Sequence, residues 1–112
     1  MSDDIDFAAR MRDACQAIEK TGKGYAEARA QSWHLQELRK VVLANEMRRL
    51  EGSMVERDMT ARCTDAYKQH LEATSEAIHK ELSLKAETEK WAAVFESLRS
   101  LSSLEKAKMQ IL

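Results

Sequence analysis

One pair of residues in this sequence has the spacing of a known kind of metal site. Glu76 and His79 stand in the order Glu-x-x-His, which carboxylate di-iron helical bundles use because residues three apart on a helix point the same way. Such a site needs a second copy of the motif and two further glutamates. The other close pair, His34 with Glu37, has the reverse order. We therefore expect these side chains to be surface residues and predict no metal site.

The residues that catalysis would need are not arranged for it. The three histidines include His70 and can in principle act as acids or bases, but no nucleophile with an orienting partner stands near them. The glycines of Thr21–Gly24 form neither a Walker loop nor a dinucleotide fingerprint. The two cysteines, Cys15 and Cys63, fit a reducing cytoplasm better than a disulfide scaffold. We expect a protein with no enzymatic activity and no cofactor.

A tryptophan beside basic residues is the best candidate for a binding surface. Base stacking on Trp33 with phosphate contacts from neighbouring cations would suit nucleic acid, whereas large aromatics on helices more often anchor a core or a protein interface. Residues 21–50 hold six basic and three acidic side chains, a local charge of +3, but the whole chain has 18 basic and 19 acidic residues and a net charge of −1. No strong basic field concentrates nucleic acid, so a protein partner is favoured. The predicted binding residues are Trp33, Arg39, Lys40 and Arg48.

Composition predicts which elements position these residues. The 112-residue chain has no proline and three glycines, and 33% of its residues are charged, which is typical of long helices or coiled coil. So few turn residues nearly exclude a sheet with several hairpins. The acidic start, Met1-Ser2-Asp3-Asp4, lacks the layout of a signal peptide, and no apolar run approaches the roughly 20 residues of a membrane span. We expect an all-α cytoplasmic protein without a membrane segment.

Helix signals divide the chain into four helical stretches and a final segment. Gly22 can close the first helix in the left-handed conformation, and Gly52 marks the clearest break. Ser53 and Glu56 form a capping-box pattern at the start of the third stretch, and Thr64 belongs to a second start signal. The serines after residue 99 weaken the last long helix. The predicted helices cover about residues 4–20, 25–50, 54–62 and 65–98, and the sequence leaves open whether 103–111 is a separate final segment or part of one helix that begins at residue 65.

These stretches predict one domain over residues 1–112. The simplest arrangement is a long antiparallel helical hairpin with an additional N-terminal helix, forming a three- to four-helix bundle or a coiled-coil-like structure. Asn45, Lys85 and Glu105 interrupt the heptad pattern, which favours a bundle over a long regular two-stranded coiled coil.

Two groups of apolar residues suggest interfaces. Met47, Met54 and Met59 cluster around the central turn, where flexible thioether side chains either fill gaps in the core or contact a partner. The C-terminal stretch is more apolar than a free tail, so it either packs back on the protein or joins a second subunit. This stretch favours a homodimer. Its apolar residues are Leu98, Leu101, Leu104, Met109, Ile111 and Leu112.

Two segments resemble a known group of proteins. The first is Tyr25-Ala-Glu-Ala-Arg-Ala30 with Leu35 and Leu38-Arg-Lys40, and the second is Thr60-Ala-Arg62 with Asp65-Ala-Tyr-Lys-Gln-His-Leu-Glu72. Together they resemble small helical proteins encoded by tailed bacteriophages and prophages, typically in early regions near replication and recombination genes. The resemblance covers about Tyr25 to Trp91. In that group an arginine tends to follow the C-terminal tryptophan, whereas Ala92 stands here. The group has no established catalytic residues, so the resemblance implies a setting, a phage accessory factor inside a bacterial cell, and no site.

The leading hypothesis is a non-enzymatic phage accessory protein that binds another protein, from phage or host, and assists DNA recombination or replication. A second hypothesis is direct nucleic-acid binding through the mildly basic second helix. A third is an inhibitor that occludes a host enzyme or defence system, and a fourth is a structural assembly subunit.

Overall fold

The computed structural model describes residues 6–111, and all regular elements in that range are helices. They are α1 (Phe7–Arg48), α2 (Met54–Ala61) and α3 (Asp65–Ile111). The two long helices, 42 and 47 residues, run antiparallel, and the short α2 lies in the connection between them. The all-α helical hairpin with an extra helix is therefore confirmed. The extra helix is the central α2, however, and the N-terminal stretch is part of the hairpin itself.

The chain forms two compact units. The terminal unit consists of the described parts of Met1–Tyr25 and Ser83–Leu112, and the middle unit is Ala26–Leu82. In the terminal unit the Thr88 hydroxyl lies 3.0 Å from the Thr21 hydroxyl. In the middle unit His70 Nε2 donates to the Leu35 carbonyl of α1 at 2.8 Å. In each unit a side chain of α3 thus makes a hydrogen bond to α1.

The predicted helix break at Thr21–Gly24 is wrong, because α1 passes through both glycines without interruption. Glycine in a helix interior costs about 1 kcal/mol relative to alanine, but here packing against α3 continues on either side. A Cβ at Gly24 would lie 3.6 Å from the Leu84 methyl carbons, so the backbone of α1 comes close to α3 at this point. The predicted start of this helix at residue 4 lies outside the described residues, and its predicted end at residue 50 moves to Arg48.

The central break and the start of α2 are as predicted. Gly52 has φ +115°, a backbone conformation that residues with a Cβ rarely adopt. Ser53 caps α2: its hydroxyl accepts a hydrogen bond from the Glu56 amide at 3.2 Å. The helix ends at Ala61, one residue before the predicted end. Past that end, Arg62 is paired with Asp58 at 3.1 Å, and its hydrogen bond to that carboxylate raises the pKa of Arg62 above its usual value.

Helix α3 begins where the second start signal predicts, and it ends later than predicted. The Thr64 hydroxyl accepts from the Tyr67 amide at 3.3 Å, which caps the first turn. Of the two alternatives for the C-terminal stretch, the structure has the single helix, because α3 continues through Ser100, Ser102 and Ser103 to Ile111. Serine lowers helix propensity only slightly, and no glycine or proline follows to end the helix.

A series of covered residues recurs on each long helix at intervals of three or four, the spacing of a coiled-coil seam. On α1 they are Met11, Ala14, Ile18, Thr21, Tyr25, Ala28, Ser32, Leu35, Leu38, Val42 and Glu46. On α3 they are Tyr67, His70, Thr74, Ile78, Glu81, Leu84, Thr88, Trp91, Phe95, Leu98 and Ser102. The spacing is coiled-coil-like, and it departs from a strict heptad at residues 32–46 of α1 and 70–84 of α3. Small and polar residues hold many seam positions, so hydrophobicity alone does not show the repeat.

Candidate functional site

The side of α1 that faces away from α3 in the middle unit carries the predicted tryptophan. Trp33 is 64% exposed, although the residue before it, Ser32, is completely buried. We call this side the Trp33 face. At about 100° per residue its members fall within an arc of about 120°, and all of them are exposed. The Trp33 face comprises Ala26, Arg29, Ala30, Trp33, Glu37, Lys40, Val41, Ala44 and Arg48.

An apolar strip runs along the Trp33 face with the spacing of a second seam. Ala26, Ala30, Trp33, Val41 and Ala44 follow one another at intervals of three or four, or at twice four across Glu37. Val41 is 51% exposed. The sequence prediction missed the alanines because exposed alanine is common on helices. The detectable signal is that these residues repeat with the heptad period but out of phase with the seam that faces α3.

The charge of the Trp33 face is positive. Arg29, Lys40 and Arg48 are exposed there together with one carboxylate, Glu37, which gives a local charge of three minus one, or +2. Among residues 6–111 the three cations form no salt bridge. They therefore remain available to an acidic partner.

Arg39 lies apart from the other predicted binding residues. It is about 120° around α1 from Trp33, and it lines a shallow groove of about 510 Å³ between α1 and α3 of the middle unit. Gln36, Glu37, Leu71 and Ile78 also line this groove, so Glu37 borders both the groove and the Trp33 face. The structure thus brings Trp33, Lys40 and Arg48 onto one face and places Arg39 on a neighbouring one.

The methionines predicted around the central turn separate into two environments. Met47 is half-buried. Met54 and Met59 on α2 are 70% and 65% exposed, and Val55 between them is 69% exposed. Val55 and Met59 are four residues apart and share one side of the short helix. The end of the middle unit thus carries a second, smaller apolar surface.

The C-terminal part of α3 exposes the apolar strip predicted from the sequence. In the terminal unit Leu101 and Leu104 are 48% and 58% exposed, and Met109 and Ile111 are 74% and 84% exposed. Leu98, the first residue of the predicted strip, is instead buried, and Leu112 lies outside the described residues. From Leu101 onwards the strip does not pack back on the described part of the protein.

Most of the residues considered for chemistry are exposed side chains. His70 takes part in the seam, whereas His34 and His79 are exposed. Glu76 is also exposed, and within residues 6–111 no three His, Cys, Asp or Glu side chains are grouped to hold a metal ion. Cys15 and Cys63 are exposed free thiols in different units.

Comparison of the chain with protein families, with characterised proteins and with solved structures gives no match. None of the three described helices contains an apolar stretch long enough to cross a membrane.

Proposed function

We propose that this protein works without catalysis, by binding another protein through the Trp33 face. The observation that carries the proposal is the burial of two adjacent residues. Ser32, a small polar residue, is completely buried, whereas Trp33, a large apolar residue, is 64% exposed. Folding alone would favour the opposite arrangement, because burying a large apolar side chain is worth about 1.5–3 kcal/mol or more. A partner that covers Trp33 supplies the missing burial.

The physical character of the face suits protein recognition. Tryptophan and arginine are the residues most enriched among those that dominate binding energy at protein interfaces. The face lies on one uninterrupted helix, so little conformational entropy is lost when a partner binds. The alanines beside Trp33 let a partner approach the backbone of α1 closely.

The wider setting belongs to the same proposal. The protein is a phage accessory factor in the bacterial cytoplasm, where it assists DNA recombination or replication or, as the alternative, occludes a host enzyme or defence system.

It acts as a homodimer joined through the exposed strip of Leu101, Leu104 and Ile111. Sedimentation equilibrium should show a dimer that becomes monomeric in the L104E/I111E double variant, and a monomeric parent protein would overturn the dimer.

Photo-crosslinking tests the binding proposal directly. A benzophenone amino acid in place of His34, an exposed residue beside the Trp33 face, should yield a small number of discrete protein adducts in a bacterial lysate. The matched control carries the same group in place of Lys85, an exposed residue of α3 in the terminal unit. If both positions gave the same adducts, or if neither gave any, protein binding through the Trp33 face would be rejected.

Direct nucleic-acid binding is the second candidate, and the observation in its favour is that Trp33, Lys40 and Arg48 share one face. Anisotropy of labelled single- and double-stranded oligonucleotides at about 50 and 200 mM salt tests it, because phosphate contacts lose affinity steeply over that range. Salt-sensitive binding that disappears in W33A would support this candidate. Absence of binding at both salt concentrations would exclude it.

A further inference from the structure

Resting on the proposed function, we propose that the occupant of the Trp33 face is an acidic amphipathic α-helix of the partner protein. Two independent properties of the face support this choice. One is the spacing of its apolar residues, which fits a helix, and the other is the sign of its charge, which selects an acidic one.

The spacing of the apolar strip matches what a packed helix requires. Positions 26, 30, 33, 37, 41, 44 and 48 advance by three or four residues and span about six turns. In helix pairs with this spacing, each side chain of one helix inserts between four residues of the other. Ala26, Ala30 and Ala44 leave shallow holes for the partner's larger side chains, and Trp33 is the one large knob that α1 provides.

Two cations border this strip along one side, and a third continues it. Arg29 and Lys40 lie along one edge, about 80–100° around the helix from Ala30, and Arg48 lies in line with Ala30 at the C-terminal end of the strip. Residues at these flanking positions form the interhelical ion pairs that set partner choice in helix pairs. The single carboxylate, Glu37, is in the middle of the strip. A partner helix with Asp or Glu at its own flanking positions therefore complements the face, and one with Lys or Arg is repelled.

A second copy of this chain fits the face less well. Pairing two Trp33 faces would bring cations against cations. The outward side of α3 in the middle unit has exposed acidic residues, Asp65, Glu72 and Glu76, but the positions between them, Gln69 and Ala73, offer no large apolar knob. Such a contact would complement the charge and leave Trp33 uncovered.

Nucleic acid also fits the face less well than an acidic helix. Glu37 lies one turn from Trp33 and would repel phosphates at the point where a base would stack. Three cations along about six turns are sparse for a backbone that carries one charge per nucleotide.

Three synthetic helical peptides of 28 residues provide the test. They share leucine at the seam positions and differ only in the flanking positions, which are all Glu, all Lys or all Gln. The full-length protein carries W91F, so that emission from Trp33 alone reports binding, and anisotropy of labelled peptide with the unsubstituted protein gives a second readout. We expect the Glu peptide to bind at least tenfold more tightly than the Lys peptide and to shift Trp33 emission to shorter wavelength.

Charge reversal on the protein distinguishes specific binding at the Trp33 face from nonspecific binding of the peptides. The K40E/R48E variant should bind the Lys peptide more tightly than the Glu peptide. The matched control K106E/K108E, which reverses two exposed lysines of the terminal unit, should keep the original preference.

Equal affinities for the Glu and Lys peptides, or no binding of either peptide, would overturn the acidic helix. The proposed function would then still stand if crosslinking from position 34 gave protein adducts, so the two failures are distinguishable. Tighter binding of single-stranded DNA than of the Glu peptide, together with no protein adducts, would overturn both proposals.

Discussion

The two tryptophans of this protein occupy opposite situations in its two units. In the terminal unit Trp91 is half-buried, its Nε1 donates to the Glu87 carboxylate at 3.1 Å, and Lys90 Nζ lies 5.1 Å from the centroid of its ring. In the middle unit Trp33 is 64% exposed and has no hydrogen bond to any residue in the described range. The same side chain on two long helices is anchored in one case and presented to solvent in the other.

The difference comes from helical phase. Trp91 occupies a seam position of α3, so it contributes to the contact with α1. Trp33 is one residue, about 100°, beyond the seam position held by Ser32. A shift of one residue therefore decides whether a side chain stabilises the fold or remains available for binding a partner. We expect the same substitution to change stability at Trp91 and binding at Trp33.

The largest expected effect on stability is that of W91A. Replacing a buried aromatic residue with alanine costs about 3–5 kcal/mol, and we expect the lower end, about 3 kcal/mol, because Trp91 is only half-buried. Urea unfolding followed by circular dichroism measures the change. A loss under about 1 kcal/mol would mean that Trp91 is no anchor, and the contrast between the units would disappear.

The substitution W33A should leave the free energy of unfolding within about 0.5 kcal/mol, as for other exposed positions. Its effect should appear in binding, where loss of a central aromatic residue costs about 2 kcal/mol or more, a weakening of roughly thirtyfold. Titration of the Glu peptide by anisotropy measures it. If W33A destabilised the fold as much as W91A, Trp33 would be a folding residue despite its exposure.

Local signals in the sequence predicted the turns well. The cap by Ser53, the left-handed Gly52 and the start of α3 after Thr64 all depend on residues within a few positions of one another, so a linear reading finds them. The predicted break at Gly22 failed for the opposite reason. Whether a glycine ends a helix depends on what packs beside it, and Leu84, which approaches Gly24, is 60 residues away in the chain.

The residues of the candidate site were likewise predicted only in part. The sequence predicted Trp33, Lys40 and Arg48 from residue type, but it grouped Arg39 with them because adjacency in sequence does not show which face of a helix a residue occupies. It also missed Arg29 and the exposed alanines. These residues can be assigned to the face only once the phase of the seam is known. The seam contains residues such as Ser32, Thr74 and Glu81, which an apolar pattern does not reveal.

The smallest expected effect concerns Gly22 of α1 and tests whether the terminal unit can be strengthened without changing the Trp33 face. A Cβ at Gly22 would meet no atom within 4 Å, so G22A should stabilise the protein by about 1 kcal/mol through helix propensity alone. G52A is the matched control: φ there is +115°, and a Cβ would lie 2.8 Å from Glu56 Oε2, so it should be destabilising. Thermal unfolding measures the change in stability of both variants.

The affinity of G22A for the Glu peptide should equal that of the parent protein, because the substitution lies in the terminal unit. A changed affinity would show that the two units are coupled, and the separation between anchored Trp91 and available Trp33 would then be a property of the whole hairpin.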